Sequence, residues 1–295
     1  MAQAGPTLHL EDAQDVDRAA ERLARGDVVA HGFANLYALT TLPDATTVRE
    51  TNALKGRPAA QVGSVTTTPS RLTSVWDLSA LPRDLPIDAV HALLDALYGL
   101  GPFGFRGPAA APVPQHLTLA DGGRPTVQLI APGYACPSNR FLAAALVRSG
   151  TPFLHITSAN RSRHVTGARD EPAHSRASAL RTEFGAVPRV AILEHNEDAA
   201  VARYSQHVPM STTVLALHRT VTAPDGRVAL VIERHGSLHV DDVRAAVEPL
   251  GFAVVLGDGA RRRLTARTYE AEARGPALVP SAPRASNPAR VRGAG

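Results

Sequence analysis

The sequence predicts an α/β protein: a single large domain with a twisted mixed sheet, flanking helices and a flexible C-terminal tail. Three observations predict it. Short apolar runs alternate with helical patterns from residue 16 to residue 256, some neighbouring runs have no helix between them, and the last stretch turns to proline and arginine. With 295 residues, 44% of them hydrophobic, the chain can bury a substantial core.

Taken in order, Val16, Ala19, Ala20 and Leu23 recur at helical spacing and Gly26 follows as a stop signal, so a first helix precedes a strand at Val28 to Ala30. Asp44 to Leu54 places Val48, Thr51 and Leu54 on one face and delivers Lys55-Gly56-Arg57-Pro58 at its end. Val62 to Thr67 reads as a strand, and Pro86 to Tyr98 as a helix with Val90, Leu93, Leu94 and Leu97 inward. Gly101 to Pro114, dense in glycine and proline, predicts a long loop. Thr126 to Ala131 is a strand, Ser138 is placed to cap a helix that Gly150 closes, and Phe153 to Thr157 is the next strand. Pro172 to Phe184 reads as a helix; Val190 to Leu193, Thr212 to Leu217 and Val228 to Ile232 read as strands. Asp241 is placed to cap a last helix through Val247, and Phe252 to Leu256 adds a final strand. The domain is drawn over 10–250, a short extension over 251–270, and a Pro/Arg-rich disordered tail over 271–295.

Charge is unevenly placed. Eight arginines and two glutamates beyond residue 260 give +6 of the net +4, leaving −2 for residues 1–260, so the body is not a nucleic-acid surface by composition while the tail could touch a polyanion. No stretch approaches a membrane span, and the first residues carry acids and a proline instead of an export signal, which predicts a soluble, cytoplasmic protein. Cys136 is the only cysteine, which excludes an intrachain disulfide and a multi-cysteine zinc site. His155, His164, His174 and His207 lack metal-binding spacing, and no metal site is predicted from them.

Four short elements carry chemistry. Lys55 is the single lysine in a chain with thirty arginines, and it offers a compact point charge where arginine offers a planar fork. Arg57, two residues on, supplies such a fork for a carboxylate or phosphate. Thr157-Ser158-Ala159-Asn160 follows an apolar strand and sets hydroxyl and amide groups at the ligand edge of a sheet. Ser211-Thr212-Thr213 leads into a later strand, and Glu233-Arg234-His235-Gly236 ends the one after it.

Together, in this order, the elements resemble the YrdC/Sua5 family, which has a Lys-x-Arg element after an early helix, a strand ending in Ser-Ala-Asn, a Ser-Thr-Val element and an Arg-x-Gly strand end. Lys55 and Arg57, Ser158 to Asn160, Ser211 and Thr212, and Arg234 and Gly236 match them over roughly residues 10–250. Where the family has Pro-Thr-x-x-x-Tyr-Gly-Leu, this chain has His31-Gly32-Phe33-Ala34-Asn35-Leu36-Tyr37-Ala38-Leu39. The family's Pro-Gly-Pro-x-Thr loop is matched only by Gly101-Pro102, and the arginine of the strand before Ser-Ala-Asn is replaced, with Gln128 and Leu129 nearest its place.

The resemblance implies an enzyme that forms a carbamoyl-adenylate from an amino acid (threonine in the family), bicarbonate and ATP with Mg²⁺, for tRNA modification. It implies Lys55, Arg57 and Arg234 as catalytic cations, and His31, Tyr37, Ser158, Asn160, Ser211 and Thr212 as substrate- and nucleotide-binding groups. Two alternatives stand beside it. One is a non-catalytic protein that binds a nucleotide, tRNA or double-stranded RNA; the other is a carbamoyl-transfer enzyme of a specialised pathway.

Overall fold

The computed structural model describes residues 7–166 and 172–269. The expected tail over 271–295, and residue 270, lie outside the described residues. In chain order the elements are β1 (Leu8–His9), α1 (Ala13–Ala24), β2 (Val28–Phe33), β3 (Leu36–Thr41), α2 (Ala45–Lys55), β4 (Ser64–Thr66) and α3 (Ile87–Leu100). There follow β5 (Phe103–Pro108), β6 (Leu119–Asp121), β7 (Arg124–Ala131), α4 (Ser138–Ser149), β8 (Leu154–Ser158), α5 (Arg163–Thr166), α6 (Ala177–Phe184) and β9 (Val190–Glu194). The chain closes with α7 (Glu197–Arg203), β10 (Val214–Thr222), β11 (Val228–Arg234), α8 (Val240–Val247) and β12 (Ala253–Leu256).

All the described strands join one sheet in the order β1-β9-β2-β3-β8-β4-β7-β5-β10-β11-β12, with β6 paired to β7. The sheet is mixed, as expected. β2 and β3 form an antiparallel hairpin, β3 pairs antiparallel with β8, and β5 pairs parallel with β10. Membership runs past both ends of residues 10–250, since Leu8 pairs with Leu193 at one edge and Ala253 with Ala229 at the other. No described helix is long and apolar enough to cross a membrane.

Alternation along each strand decides which face it serves. On β7, Val127, Leu129 and Ala131 point into the largest core, with Leu93 and Leu97 of α3 and Val243 and Val247 of α8, while Gln128 and Ile130 turn to the other face. At the opposite end of the sheet, α1 and α4 bury Leu23, Phe141 and Leu142 against Val29 and Leu193, and Leu180 and Phe184 of α6 cover Val28, Ala30 and Leu39. Burying a side chain of this size contributes about 1.5–3 kcal/mol each, so these layers hold the frame on which the loops stand.

Three expectations are corrected here. Gly101 to Pro114 is not a loop throughout, because Phe103–Pro108 forms β5, paired on both sides. Phe103 and Phe105 alternate into the core, while Gly104 between them leaves room for the side chain of Ile130 and Gly107 for that of Trp76. Ser138 does not cap α4: Pro137 holds that position, and the Ser138 hydroxyl is buried 3.1 Å from Cys136 Sγ. The cap of α8 is His239, whose ring accepts from the Asp241 amide, leaving Asp241 in the first turn, where its charge suits the helix dipole.

Candidate functional site

A cavity of about 840 Å³ opens on the sheet face that carries Gln128 and Ile130. Its position follows from strand ends and loops that local structure holds in place.

Helix α2 delivers the first group. Asp44 starts it by accepting from the amides of Thr46 and Thr47, and Gly56 ends it with φ +67°, a left-handed conformation that glycine adopts without strain. A Cβ there would also lie 2.0 Å from Val165. Beyond the cap, Asn52 Nδ2 donates to Gln61 O at 2.9 Å and the Arg57 amide to Asn52 O at 2.8 Å, which holds the 57–61 turn against the helix. Asn52 is a positioning residue that the sequence did not single out; its signal would have been a buried amide one turn before the Lys-x-Arg pair.

Lys55 is fully buried. Its ammonium donates to the Ser158 carbonyl and lies 3.5 Å from both Ser158 Oγ and Asn160 Oδ1. It therefore stands behind the wall that Ser158 and Asn160 present to the cavity. Arg57 is part of that wall, and its Nη1 donates to Thr157 Oγ1 at 2.6 Å.

The Ser-Ala-Asn turn is fixed from the other side as well. The Ala159 amide donates to Tyr37 O at 3.0 Å and the His174 amide to Ala159 O at 2.9 Å. Tyr37 reaches this turn through its backbone, its amide also donating to His174 O at 2.8 Å, because its ring is buried and its hydroxyl donates to Glu197 Oε1 at 3.1 Å. Burial, reinforced by the Glu197 carboxylate, pushes that phenol far above its ordinary range.

Arg234 ends β11 against the Ser211-Thr212-Thr213 segment. Its Nε donates to Thr212 O at 2.7 Å and its Nη2 to Thr212 Oγ1 at 3.0 Å. Thr213 Oγ1 donates to Leu238 O and accepts from the Gly236 amide. A Cβ on Gly236 would fall 2.1 Å from Ser211 O, so only glycine lets the two segments touch. Burial holds the guanidinium of Arg57 down to about 10, and burial together with Arg106 and Arg57 does the same to Arg234.

Of the residues expected to bind, Arg57, Ser158, Asn160, Ser211, Thr212 and Arg234 line one cavity, with Lys55 directly behind it. His31 and Tyr37 do not line it. His31 is fully buried, with Nε2 2.8 Å from Thr40 Oγ1 and its ring 4.8 Å from that of Phe141, because alternation in β2 turns it toward α4. Gln128 and Ile130 face the cavity, while Leu129 is buried on the opposite face. Gln128 also ties the cavity wall to side chains outside it: Gln128 Nε2 donates to Ser64 Oγ at 2.7 Å within the wall, while Arg106 Nη2, from outside it, donates to Gln128 Oε1, and Arg106 Nε pairs with Glu233 Oε2 at 2.8 Å.

The segment after β12 was not expected at the site. It returns across the cavity mouth, where Leu264 and Thr265 line it. Arg263 donates to Gly236 O at 3.0 Å and Ser237 O at 2.7 Å, Arg267 Nη2 donates to Pro172 O at 2.8 Å, and Tyr269 Oη accepts from the Ser175 amide at 2.8 Å. The readable signal was Leu264 and Tyr269, large side chains in a stretch otherwise rich in arginine. A smaller hollow of about 590 Å³ adjoins it, with Arg161, Arg176 and Arg267 in its wall.

Among the described residues, metal-binding groups do not gather at the cavity, and its wall carries no carboxylate. Asp121, His218 and Glu233 meet elsewhere, but as an ion-pair cluster: His218 Nε2 lies 2.8 Å from Asp121 Oδ2, and Arg106 and Arg219 both pair with Glu233.

Neither a family model nor a curated protein matches the sequence. Solved structures do. P. abyssi Sua5 in complex with L-threonine is 18% identical with a TM-score of 0.58, covering 83% of this chain and 60% of its own. A hypothetical protein from Streptococcus mutans is 12% identical with a TM-score of 0.59, covering 86% of this chain and 100% of its own. The chain therefore has the fold of Sua5 and spans about 60% of that protein's length.

Proposed function

We propose that the cavity binds ATP and an amino acid and joins them, through bicarbonate, into a carbamoyl-adenylate. One observation carries this reading. Arg57 and Arg234 both face the cavity, and among the described residues their guanidinium partners are neutral oxygens of Thr157 and Thr212. Two desolvated cations, of which Arg234 is depressed further by Arg106 and Arg57, are stabilised by an anion placed between them, and a polyphosphate supplies it.

In the reaction, the amine of the amino acid adds to bicarbonate with loss of water to give a carbamate. A carbamate oxygen then bonds to the α-phosphorus as the bond from that phosphorus to the β-phosphate bridging oxygen breaks, and pyrophosphate leaves. Arg57 and Arg234 would balance the charge that builds on the phosphates, while Ser158, Asn160, Ser211 and Thr212 orient the reactants. Lys55 would act through Ser158 and Asn160, which it holds in place. Among the described residues the wall offers no carboxylate to hold a Mg²⁺ ion, and no step is assigned to one beyond accompanying the nucleotide's phosphates as substrate.

That neither His31 nor Tyr37 reaches the cavity wall favours a second reading, nucleotide binding without turnover. One experiment separates the two. The protein is incubated with ATP, labelled bicarbonate and pooled amino acids, and a labelled carbamoyl-adenylate is sought by mass spectrometry. Its formation is expected; nucleotide binding by calorimetry without product leaves the second reading, and no nucleotide binding at millimolar concentration rejects both. Use of such a product on tRNA, and a cytoplasmic setting, belong to the same proposal.

A further inference from the structure

We infer that the Ser64 hydroxyl donates a hydrogen bond to the phosphate chain of the nucleotide, its hydrogen aimed into the cavity by Gln128 and Arg106. The inference rests on the proposed function for the anion between Arg57 and Arg234, and on strand register and donor polarity for the rest.

Register sets Ser64 between the two cations. It lies opposite Ile156 of β8 and, as the adjoining pair of Val65 and Leu129 requires, beside Gln128 of β7. Strand β8 runs antiparallel to β4 and β7 parallel to it, so a forward step along each leaves this row in opposite directions. Two residues forward on β8 is Ser158, next to the Thr157 that holds Arg57. Two residues forward on β7 is Ile130, which Gly104 and Val214 connect in register to Arg234. Each step covers about 6–7 Å of strand. Ile156, Ser64 and Gln128 all line the cavity, so an anion that reaches both guanidiniums passes over them.

The polarity of this row is imposed from outside the cavity. A guanidinium has donors and no acceptor, so Arg106 Nη2 can meet the Gln128 amide only at Oε1. That turns Nε2 toward Ser64, whose Oγ accepts at 2.7 Å. Arg106 is itself held by Glu233 at 2.8 Å, both side chains being largely buried, and a flipped amide would set donor against donor. The serine hydrogen is left over, and among the described residues no group accepts it. Successive donors headed by a cation polarise one another toward the cavity, and a negatively charged oxygen is the acceptor that gains most from such a hydrogen. Ser64 is therefore the ligand contact, while Gln128 and Arg106 are positioning residues that fix its direction.

The test is calorimetry on the full chain with ATP and, separately, with inorganic tripolyphosphate. Ser64→Ala should weaken both by roughly ten- to a hundredfold, the worth of a hydrogen bond to a charged group, with a urea midpoint close to the parent's as the check on folding. Gln128→Leu keeps the net charge and frees the hydroxyl to turn. It should weaken both ligands by a few-fold and cost nothing further in the Ser64→Ala background. Parental affinity of Ser64→Ala for both ligands would overturn the inference and leave the proposed function standing. A loss confined to ATP would set the hydroxyl on the nucleoside and overturn it as well. A full further loss from Gln128→Leu in the Ser64→Ala background would show Gln128 reaching the ligand by itself and would overturn the relay. Tripolyphosphate bound through Ser64 by a protein with no affinity for ATP would uphold the donor and reject the proposed function, and a parent that binds neither rejects both.

Discussion

The ammonium of Lys55 and the main-chain carbonyl of Ser158, 103 residues apart in sequence, are hydrogen-bonded beneath the cavity wall. The bond ties the end of α2 to the end of β8. Lys55→Met leaves the carbonyl, and the turn to Asn160, without that donor at a cost of about 1–3 kcal/mol. Lys55→Arg crowds a fully buried site and costs a similar amount. Both variants should lose stability by urea unfolding and nucleotide affinity by calorimetry together. Loss of affinity at unchanged stability would mean instead that the ammonium meets the ligand directly.

Arg57 and Arg234 should behave in the opposite way. Removing a partly desolvated cation relieves burial of charge, so Arg57→Gln or Arg234→Gln is expected to leave the melting temperature unchanged or slightly raised. Each charge-assisted contact to phosphate is worth about 1.5–3 kcal/mol, so nucleotide affinity should fall roughly ten- to a hundredfold. Equal affinities of variants and parent in a titration with ATP would remove the observation on which the proposed function stands.

Gly236→Ala places a methyl group 2.1 Å from Ser211 O, and the backbone around Thr212 and Arg234 must move to admit it. A cost of about 1–3 kcal/mol is expected, read as a lower urea midpoint, with weaker nucleotide binding because Arg234 loses its register. Gly259→Ala, where a Cβ would meet only Glu233 O at 3.2 Å, is the control and should be far milder.

Three histidines fix the acid limit of stability. Burial holds His31 and His195 down to about 4, and burial together with the charges of Lys55 and Arg57 holds His155 down to about 3, against 6.5 in the unfolded chain. The unfolded state therefore binds more protons than the folded one between about pH 6.5 and 4, and stability is full above that window and lost as pH falls through it. Each histidine contributes a slope of about 1.4 kcal/mol per pH unit there. Urea unfolding at pH 7, 6 and 5 should show the decline, and His31→Gln should make it shallower. A flat profile from pH 7 to 5 would show that these rings are not held neutral by burial.

The sequence disclosed the site unevenly, for physical reasons. Lys55, Arg57, Ser158, Asn160, Ser211, Thr212 and Arg234 were legible because polar groups at the ends of apolar runs must sit where strands meet loops. His31 misled because it stands inside an apolar strand, where only the parity of β2 decides which face it serves. Strand β5 was hidden by its own glycines and prolines, which there answer the pressure of neighbouring side chains and not the needs of a turn. The helix caps were misplaced because Ser138 and Asp241 each stand only one or two residues past the residue that occupies the cap, Pro137 and His239. The mouth segment over 261–269 was masked by its charge, since three consecutive arginines read as solvated chain although Arg263 is held by two carbonyls.

The solitary lysine has a use in chemical labelling. Because Lys55 is the chain's single side-chain amine and is fully buried, an amine-reactive reagent should modify only the chain's terminal amine in the native protein. Incorporation of a second label then records a molecule in which α2 has separated from β8, one event per opening, with no background from other side chains. Mass spectrometry over time would count those openings directly, and a saturating nucleotide should slow them in proportion to its own binding.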